Sequence, residues 1–197
     1  MKSLSDPELI RFLQEGSLDA LGSLYDRYRQ LVFRTALAIT GDYDAASDLL
    51  QEVFLRLFRF SHHVDPLRPL QPWLYRMTTN LAYTWVKRDQ RWTKPLENIA
   101  EWLAGPGKNP PYEAVERLDD WDQLQKAVTT LPLPQRVVVV LYYLDDLSLQ
   151  EISEILKVPV GTVKSRLHYG RLALKKELGM GSFAEKDNLP DLGFEGP

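Results

Sequence analysis

Residues 148–178, SLQEISEILKVPVGTVKSRLHYGRLALKKEL, decide the fold. They read as two helices with a tight break between them. Ser148 is suited to cap the first, and Glu151 follows at the capping-box spacing. Leu149, Ile152 and Leu156 are its expected buried positions, and Pro159 and Gly161 are expected to punctuate the turn. The second helix is predicted from about Val160 to Leu178. At 100° per residue, Val163, Leu167, Gly170, Leu174 and Leu178 share a narrow apolar face. Ser165, His168, Tyr169 and Lys176 lie opposite; Lys164, Arg171 and Lys175 flank them on one side and Arg166 on the other. A short helix, a glycine-containing turn and a basic second helix make a helix-turn-helix, whose second helix enters the major groove. The competing reading is a helical hairpin with a solvated lysine-rich face. Charge favours DNA: residues 157, 164, 166, 171, 175 and 176 are Lys or Arg, against the single acid Glu177.

That concentration is local. The 197-residue chain has a formal net charge of −3, so nucleic-acid binding has to come from patches rather than bulk charge. The length suits one or two small domains, and 44% hydrophobic content is that of a globular chain. The absence of cysteine excludes disulfides, cysteine–zinc sites and thiol redox sensing by this chain. No apolar run approaches a membrane span and MKSLSDPELI lacks a signal-peptide core, so a cytoplasmic protein without membrane insertion is expected.

The rest of the chain also reads as helix. Asp6-Pro7 is expected to open a first helix with Pro7 at its first position, and Leu9, Ile10, Leu13 and then Leu18 are its apolar positions. From Asp19 to Ile39, apolar residues recur at three and four: Leu21, Leu24, Tyr25, Tyr28, Leu31, Val32, Thr35 and Ile39. Gly41-Asp42 ends that helix. A further one over Asp44–Phe60 turns Ala46, Leu49, Leu50, Val53, Phe54, Leu57 and Phe58 inward, leaving a polar side of Asp44, Asp48, Gln51, Glu52, Arg56 and Arg59. A loop over Ser61–Gln71 precedes another helix from Pro72 to about Arg88. Residues 94–111, with four prolines and two glycines, read as a linker. A second helical region starts near Tyr112 and is broken by Leu131-Pro-Leu-Pro134. Gln135–Leu144 is apolar enough for a buried strand, but Pro134 can open a helix and its surroundings are helical, so helix is expected. Residues 179–197 are expected to be a disordered acidic tail. The fold class is therefore all-α, with helical domains over 6–93 and 112–178.

No catalytic constellation appears, and no enzyme activity is expected. His62, His63 and His168 lack metal-ligand spacing; Asp48 and Glu52 lie one turn apart, but no histidine accompanies them at di-iron spacing. There is no phosphate-binding glycine loop and no nucleophile elbow. No metal or other cofactor is expected. A second nucleic-acid candidate is YRMTTNLAYTWVKRDQRWTK, residues 75–94, where Arg76, Lys87, Arg88, Arg91 and Lys94 alternate with Tyr75, Tyr83, Trp85 and Trp92. Basic groups track phosphates and aromatic faces stack on unpaired bases. Trp73 and Leu81 are read as core.

These runs together resemble the extracytoplasmic-function (ECF) group of bacterial sigma factors. The matching runs are DALGSLYDRYRQLVFRTA (19–36), DYDAASDLLQEVFLRLFRF (42–60), PLQPWLYRMTTNLAYTWVKR (69–88) and the whole of 131–178. Their order is that of the family's region two, linker and region four. The resemblance implies a protein that binds core RNA polymerase, directs it to promoter DNA and helps open the duplex, usually held inactive by an anti-sigma factor. It assigns Asp48, Gln51, Glu52 and Arg56 to core-polymerase binding. It assigns the loop at 61–70 and the following helix to unpaired minus-ten bases, with His62, His63, Asn80, Tyr83, Lys87 and Arg88 as candidates. It assigns Gly161, Thr162, Lys164, Ser165, Arg166, His168, Tyr169, Arg171 and Lys175 to the minus-thirty-five element. Thr79 and Thr84 stand where arginine and aspartate are common, and Tyr169 where arginine is frequent. Two readings compete: a stand-alone helix-turn-helix regulator that binds duplex DNA without polymerase, and a helical adaptor or enzyme with a metal at Asp48/Glu52.

Overall fold

The computed structural model describes residues 4–88 and 123–178, and these are helical with no strand among them. The order is α1 (Asp6–Gln14), α2 (Leu18–Thr40), α3 (Tyr43–Arg59), a 3-10 turn (Ser61–His63) and α4 (Gln71–Arg88). After the undescribed stretch come α5 (123–130), α6 (Leu133–Val139) continuing as a π-helical turn (Val140–Leu144), α7 (Leu149–Leu156) and α8 (Val160–Glu177). The expected linker at 94–111, most of the region from Tyr112 to α5, and the tail lie outside the described residues.

Helix α2 is the axis of the first half, with α1, α3 and α4 packed around it. Its N-cap is Ser17, whose hydroxyl accepts from the Ala20 amide at 3.3 Å, and Gly41 ends it in the left-handed conformation at φ 71°. Asp42 caps α3 by accepting from the Ala45 amide at 2.9 Å. Helix α1 is docked by Asp6, which accepts from Arg27 and from the Tyr28 hydroxyl, and by Gln14, which donates to the carbonyls of Ser61 and Val64. Gln14 thereby anchors the loop after α3 to the bundle. Ser5, not Asp6, is the N-cap of α1, and Asp6-Pro7 are its first two residues. Leu18 belongs to the start of α2 and is exposed, so it is not an apolar position of α1.

In the second half, α8 packs on α6 and α7. The Ser148–Glu151 capping box forms in full: the Glu151 amide donates to the Ser148 hydroxyl at 3.2 Å, and the Glu151 carboxylate accepts from the Ser148 amide at 2.8 Å. The side-chain and backbone hydrogen bonds from Ser148 hold the Glu151 carboxyl below the ordinary carboxylate range. Three expectations need correction. Ile155, rather than Leu149 or Leu156, joins Ile152 in the core, because the short helix turns that side onto its neighbours. The break in the helix-turn-helix is made by Lys157, left-handed at φ 54°, while Gly161 lies inside α8 with helical backbone. Finally, the apolar run at 135–144 is helical, but its last turn widens to π geometry before Asp145.

The two halves pack directly on each other, α2 against α6 and the π turn, and α4 against α7. This explains why Thr35 to Thr40 are all buried, although an amphipathic helix would leave part of that run wet.

Two glycines of α8 separate packing from propensity. A Cβ on Gly170 would come within 2.7 Å of Val139 Cγ2, whereas one on Gly161 would meet nothing within 4 Å. Gly170→Ala should destabilise by about 1–3 kcal/mol through overpacking. Gly161→Ala should stabilise by roughly 0.5 kcal/mol through helix propensity. Urea unfolding of the two variants measures both, and the opposite signs are the prediction.

Candidate nucleic-acid and partner interfaces

Helix α8 presents its polar face to solvent. The buried residues Val163, Leu167, Gly170 and Leu174 form the inner stripe, as the periodicity implies. Gly161, His168, Tyr169 and Lys175 are exposed; Thr162, Lys164, Ser165, Arg166 and Arg171 are partly exposed. The Ser165 hydroxyl donates to the Thr162 carbonyl at 3.0 Å, and the His168 and Tyr169 rings meet edge to face at 5.4 Å. Tyr169 is 59% exposed, so its ring is available to an incoming surface. None of Lys164, Arg166, Arg171 and Lys175 forms a salt bridge among the described residues. Their charge is therefore not cancelled by neighbouring acids and can act on phosphates. Leu172 was missed in the sequence reading. It is exposed near the centre of the polar face, between Ser165 and His168 on the helical wheel, and apolar type alone hid it.

A polar stripe on α3 is equally open. Asp48 and Gln51 are exposed, and Glu52 and Arg56 are half-buried and paired to each other at 2.5 Å. Arg56 also approaches the Met77 sulfur of α4 at 3.9 Å. The stripe thus carries one free carboxylate side chain, one amide and one fixed ion pair, with exposed Leu55 on the same helix. Among the described residues no three His, Cys, Asp or Glu side chains gather as a metal site.

The third surface is formed by the 3-10 turn and α4. His62, His63, Asn80, Lys87 and Arg88 are exposed, and Tyr83 is half-buried beneath the Lys87 ammonium, which sits 4.7 Å from its ring centroid. The Phe60 ring, half exposed, lies edge-on to His63 at 6.3 Å. Tyr75 cannot stack on a base, contrary to the sequence reading: it is 5% exposed, and burial drives its hydroxyl pKa upward. Thr79 is buried and donates to the Tyr75 carbonyl at 2.8 Å, while Thr84 is exposed. Trp92, Arg91 and Lys94 lie outside the described residues.

The sequence assigns no role to Asp145, Arg34 or Arg136, and marks Gln125 only as a periodic position of its helix; in the structure the four join the halves. Asp145 is buried and accepts from Arg34 Nη2 at 2.9 Å and from the Thr35 hydroxyl at 2.9 Å. Arg136 donates from Nη1 to the Ile39 carbonyl at 2.9 Å, and from Nη2 to the carbonyls of Leu131, at 2.9 Å, and of Thr129. Burial lowers its pKa to about 10, still far above neutrality. The one signal in the sequence was a lone arginine heading an apolar run.

Comparison with known proteins places both halves. Residues 24–93 match the family model for sigma-70 region 2, and residues 121–174 match that for sigma-70 region 4. The ECF RNA polymerase sigma factor SigW of Bacillus subtilis is 34% identical over 180 residues, spanning 86% of this chain and 94% of that protein. The ECF RNA polymerase sigma factor SigL of Mycobacterium tuberculosis is 31% identical over 165 residues, spanning 80% of this chain and 90% of that one. Among solved structures, CnrH in complex with the cytosolic domain of CnrY is similar at a TM-score of 0.65 and 22% identity, covering 90% of this chain and 99% of CnrH. RpoE bound to the anti-sigma factor NepR from Bartonella quintana is similar at 0.60 and 19% identity, covering 78% and 93%. At these identities the structural likeness bears on the fold.

The exposed stripe of α3 can be altered without loss of fold. Asp48→Lys should change stability by less than about 0.5 kcal/mol. Glu52→Lys, which breaks the i,i+4 pair with Arg56, should cost about 0.5 kcal/mol more. Thermal melts followed by circular dichroism check both.

Proposed function

The chain belongs to the ECF group of RNA polymerase sigma factors, proteins that direct polymerase to promoters, and we propose that its three open surfaces divide that work. The polar stripe of Asp48, Gln51, Glu52 and Arg56 on α3 meets core RNA polymerase. His62, His63, Asn80, Tyr83, Lys87 and Arg88 hold the opened minus-ten strand. Helix α8 enters the major groove of the minus-thirty-five element. The observation that carries this reading is the basic edge of α8, exposed or partly exposed and without a salt bridge among the described residues, beside a polar face in a chain that is net acidic.

The chemistry of each surface fits its role. Unpaired bases need aromatic faces and polar edges, and the turn-α4 surface offers Tyr83, Phe60 and the Asn80 amide beside exposed Lys87 and Arg88. On α8, Ser165, His168 and Tyr169 face base edges, while Lys164, Arg166, Arg171 and Lys175 flank them at phosphate positions. Gly161 and Thr162 bring the helix N-terminus, with its partial positive charge, toward a phosphate. Tyr169 offers a ring and a hydroxyl in place of the bidentate guanidinium frequent at that position in the family, so this element is read through different contacts.

Control by an anti-sigma factor is part of the proposal, supported by RpoE, seen with the anti-sigma factor NepR, and by CnrH, seen with the cytosolic domain of CnrY. A role in catalysis is not part of it. Polymerase-dependent action is favoured over stand-alone regulation, because both sigma modules occur in one chain.

Run-off transcription with core polymerase tests the reading as a whole. Promoter-specific transcripts that depend on this chain are the expected result. Asp48→Lys and Glu52→Lys should lose co-purification with core enzyme while keeping their helicity. With a promoter library, Tyr169→Ala should reorder sequence preference at one minus-thirty-five position, by about 1–3 kcal/mol. Lys164→Ala or Arg171→Ala should weaken all promoters alike and reduce the salt slope by roughly one. Uniform weakening by Tyr169→Ala together with reordering by Lys164→Ala would reverse the assigned orientation of α8.

A further inference from the structure

The contact between the halves, an apolar core with Arg136 and Gln125 at the end of α2, also contains one buried carboxylate. Asp145 lies in the turn after the π-helical Val140–Leu144 and is followed by Asp146, left-handed at φ 53°. Its side chain is fully buried, and both of its hydrogen-bond partners, Arg34 and Thr35, come from α2. Arg34 and Thr35 fall within the residues matched to region 2 and Asp145 within those matched to region 4, so this pair bridges two modules. The Thr35 hydroxyl also lies 2.9 Å from the Leu31 carbonyl, and its single proton serves one acceptor at a time. Arg34 therefore supplies the constant positive partner. It is 40% exposed while Asp145 is not, so the arginine is the accessible member of the pair.

The closed arrangement brings the two proposed DNA readers together. Helix α4 packs against α7, and α7 packs against α8. Packed helices sit about 8–10 Å apart. The minus-ten and minus-thirty-five elements, by their positions, are about 25 base pairs apart, or roughly 85 Å along the duplex at 3.4 Å per step. Closed, the chain cannot reach both elements at once.

We infer that Asp145, Arg34 and Thr35 form a latch that holds the free protein closed, and that loss of Arg34 from the carboxylate releases it. This rests on the promoter-reading roles given above for the meaning of closure, though not for closure itself. A buried carboxylate deprived of its one cationic partner has neither water nor charge to offset it, which strongly disfavours the state that buries it. The remedy for a lost arginine is then to remove the carboxylate's charge as well.

Burial lifts the Asp145 carboxyl above the ordinary value of 3.8, with opposing pulls from Arg34 and Thr35. Tyr75 on α4 senses Asp145, Arg34 and Glu151 of α7, and Asp146 is adjacent in the turn. Among these, Arg34 is the cation that faces Asp145. A pKa raised in the closed state means that closure takes up a proton. The gain from protonation is full below the ordinary carboxylate value and is lost as pH rises through the raised one. Acid therefore strengthens closure.

The test uses the full chain with dyes on two introduced cysteines, Asp44→Cys and Glu154→Cys, since the protein has none of its own. Energy transfer and small-angle scattering report closure, and circular dichroism reports helicity. The parent should show high transfer. Arg34→Ala should lower the closed-to-open ratio by roughly tenfold or more, discounted for the exposure of the arginine. Arg34→Met, which keeps the stem, serves should the alanine variant lose helicity. Adding Asp145→Asn to either should restore high transfer, and so should lowering the pH of the single variants. A parent already open at neutral pH, an Arg34 variant as closed as the parent, or a double variant as open as the single would each overturn the latch. Run-off transcription by the parent is scored separately. Transcription with no change in transfer removes the latch alone; the predicted transfer changes without transcription remove the promoter reading and leave the latch.

Discussion

The C-terminal end of α2 is the constraint on which the rest of the structure depends. A helix ends with carbonyls that have no partner within the helix, and here that end is buried. No basic residue lies in its own last turn. The second half supplies what is missing. Arg136 donates to the Ile39 carbonyl, and Gln125 Nε2 lies 3.2 Å and 3.4 Å from the carbonyls of Leu37 and Ala38. A cation at the negative end of a helix is favourable, and the Arg136 guanidinium is held there by three backbone carbonyls, those of Ile39, Thr129 and Leu131. Gly41, left-handed just beyond that end, would place a Cβ 2.6 Å from Thr129, so the close approach of α5 also requires glycine there. The bundle axis of one half is thus finished by side chains of the other.

The signals legible in sequence were local ones. The Ser148–Glu151 spacing, the Val163–Leu167–Gly170–Leu174 stripe and the polar side of α3 depend on helix geometry alone, and each appears at its expected residues. What was not legible depends on partners distant in sequence. Phe33 and Ala36–Ala38 are buried because α2 is covered from a second side, which no single-helix periodicity reveals. Tyr75 looks like a stacking residue among basic neighbours, yet it is buried on α4. The π turn at Val140–Leu144 has no composition of its own, and it leads directly into Asp145, whose partners lie on α2. Lys157 in left-handed geometry replaces the glycine that turn chemistry would favour, so the visible Gly161 was the wrong signpost.

Charge placement follows the same division between local and distant. In a net acidic chain, basic side chains gather at the edge of α8 and at the end of α4, where Lys87 and Arg88 are exposed, and the proposed function places nucleic-acid affinity there. Two separate patches of modest charge suit a reader that needs polymerase to bring both onto DNA. One large patch would bind duplex without it, with a correspondingly steep salt dependence. In the orientation proposed for α8, the basic flanks would position and the Ser165–His168–Tyr169 face would discriminate, so affinity and preference could change independently.

The chemistry of the contact between halves bears on whether it can open. Its named contacts are hydrogen bonds to backbone carbonyls and one carboxylate, groups that water can serve once the halves part. Arg136 keeps the carbonyls of Thr129 and Leu131 within its own half, so separation costs it the Ile39 bond and not its whole coordination. A hydrogen bond exchanged for one to water changes free energy by only about 0.5–1.5 kcal/mol net, so resistance to opening falls mainly to the apolar side chains of both halves, which share one core. The polar contacts give the closed arrangement its definite geometry, and the shared apolar core gives it its resistance to opening. If the two readers proposed above are to stand far apart on DNA, opening has to separate that core as well as exchange the polar contacts for water.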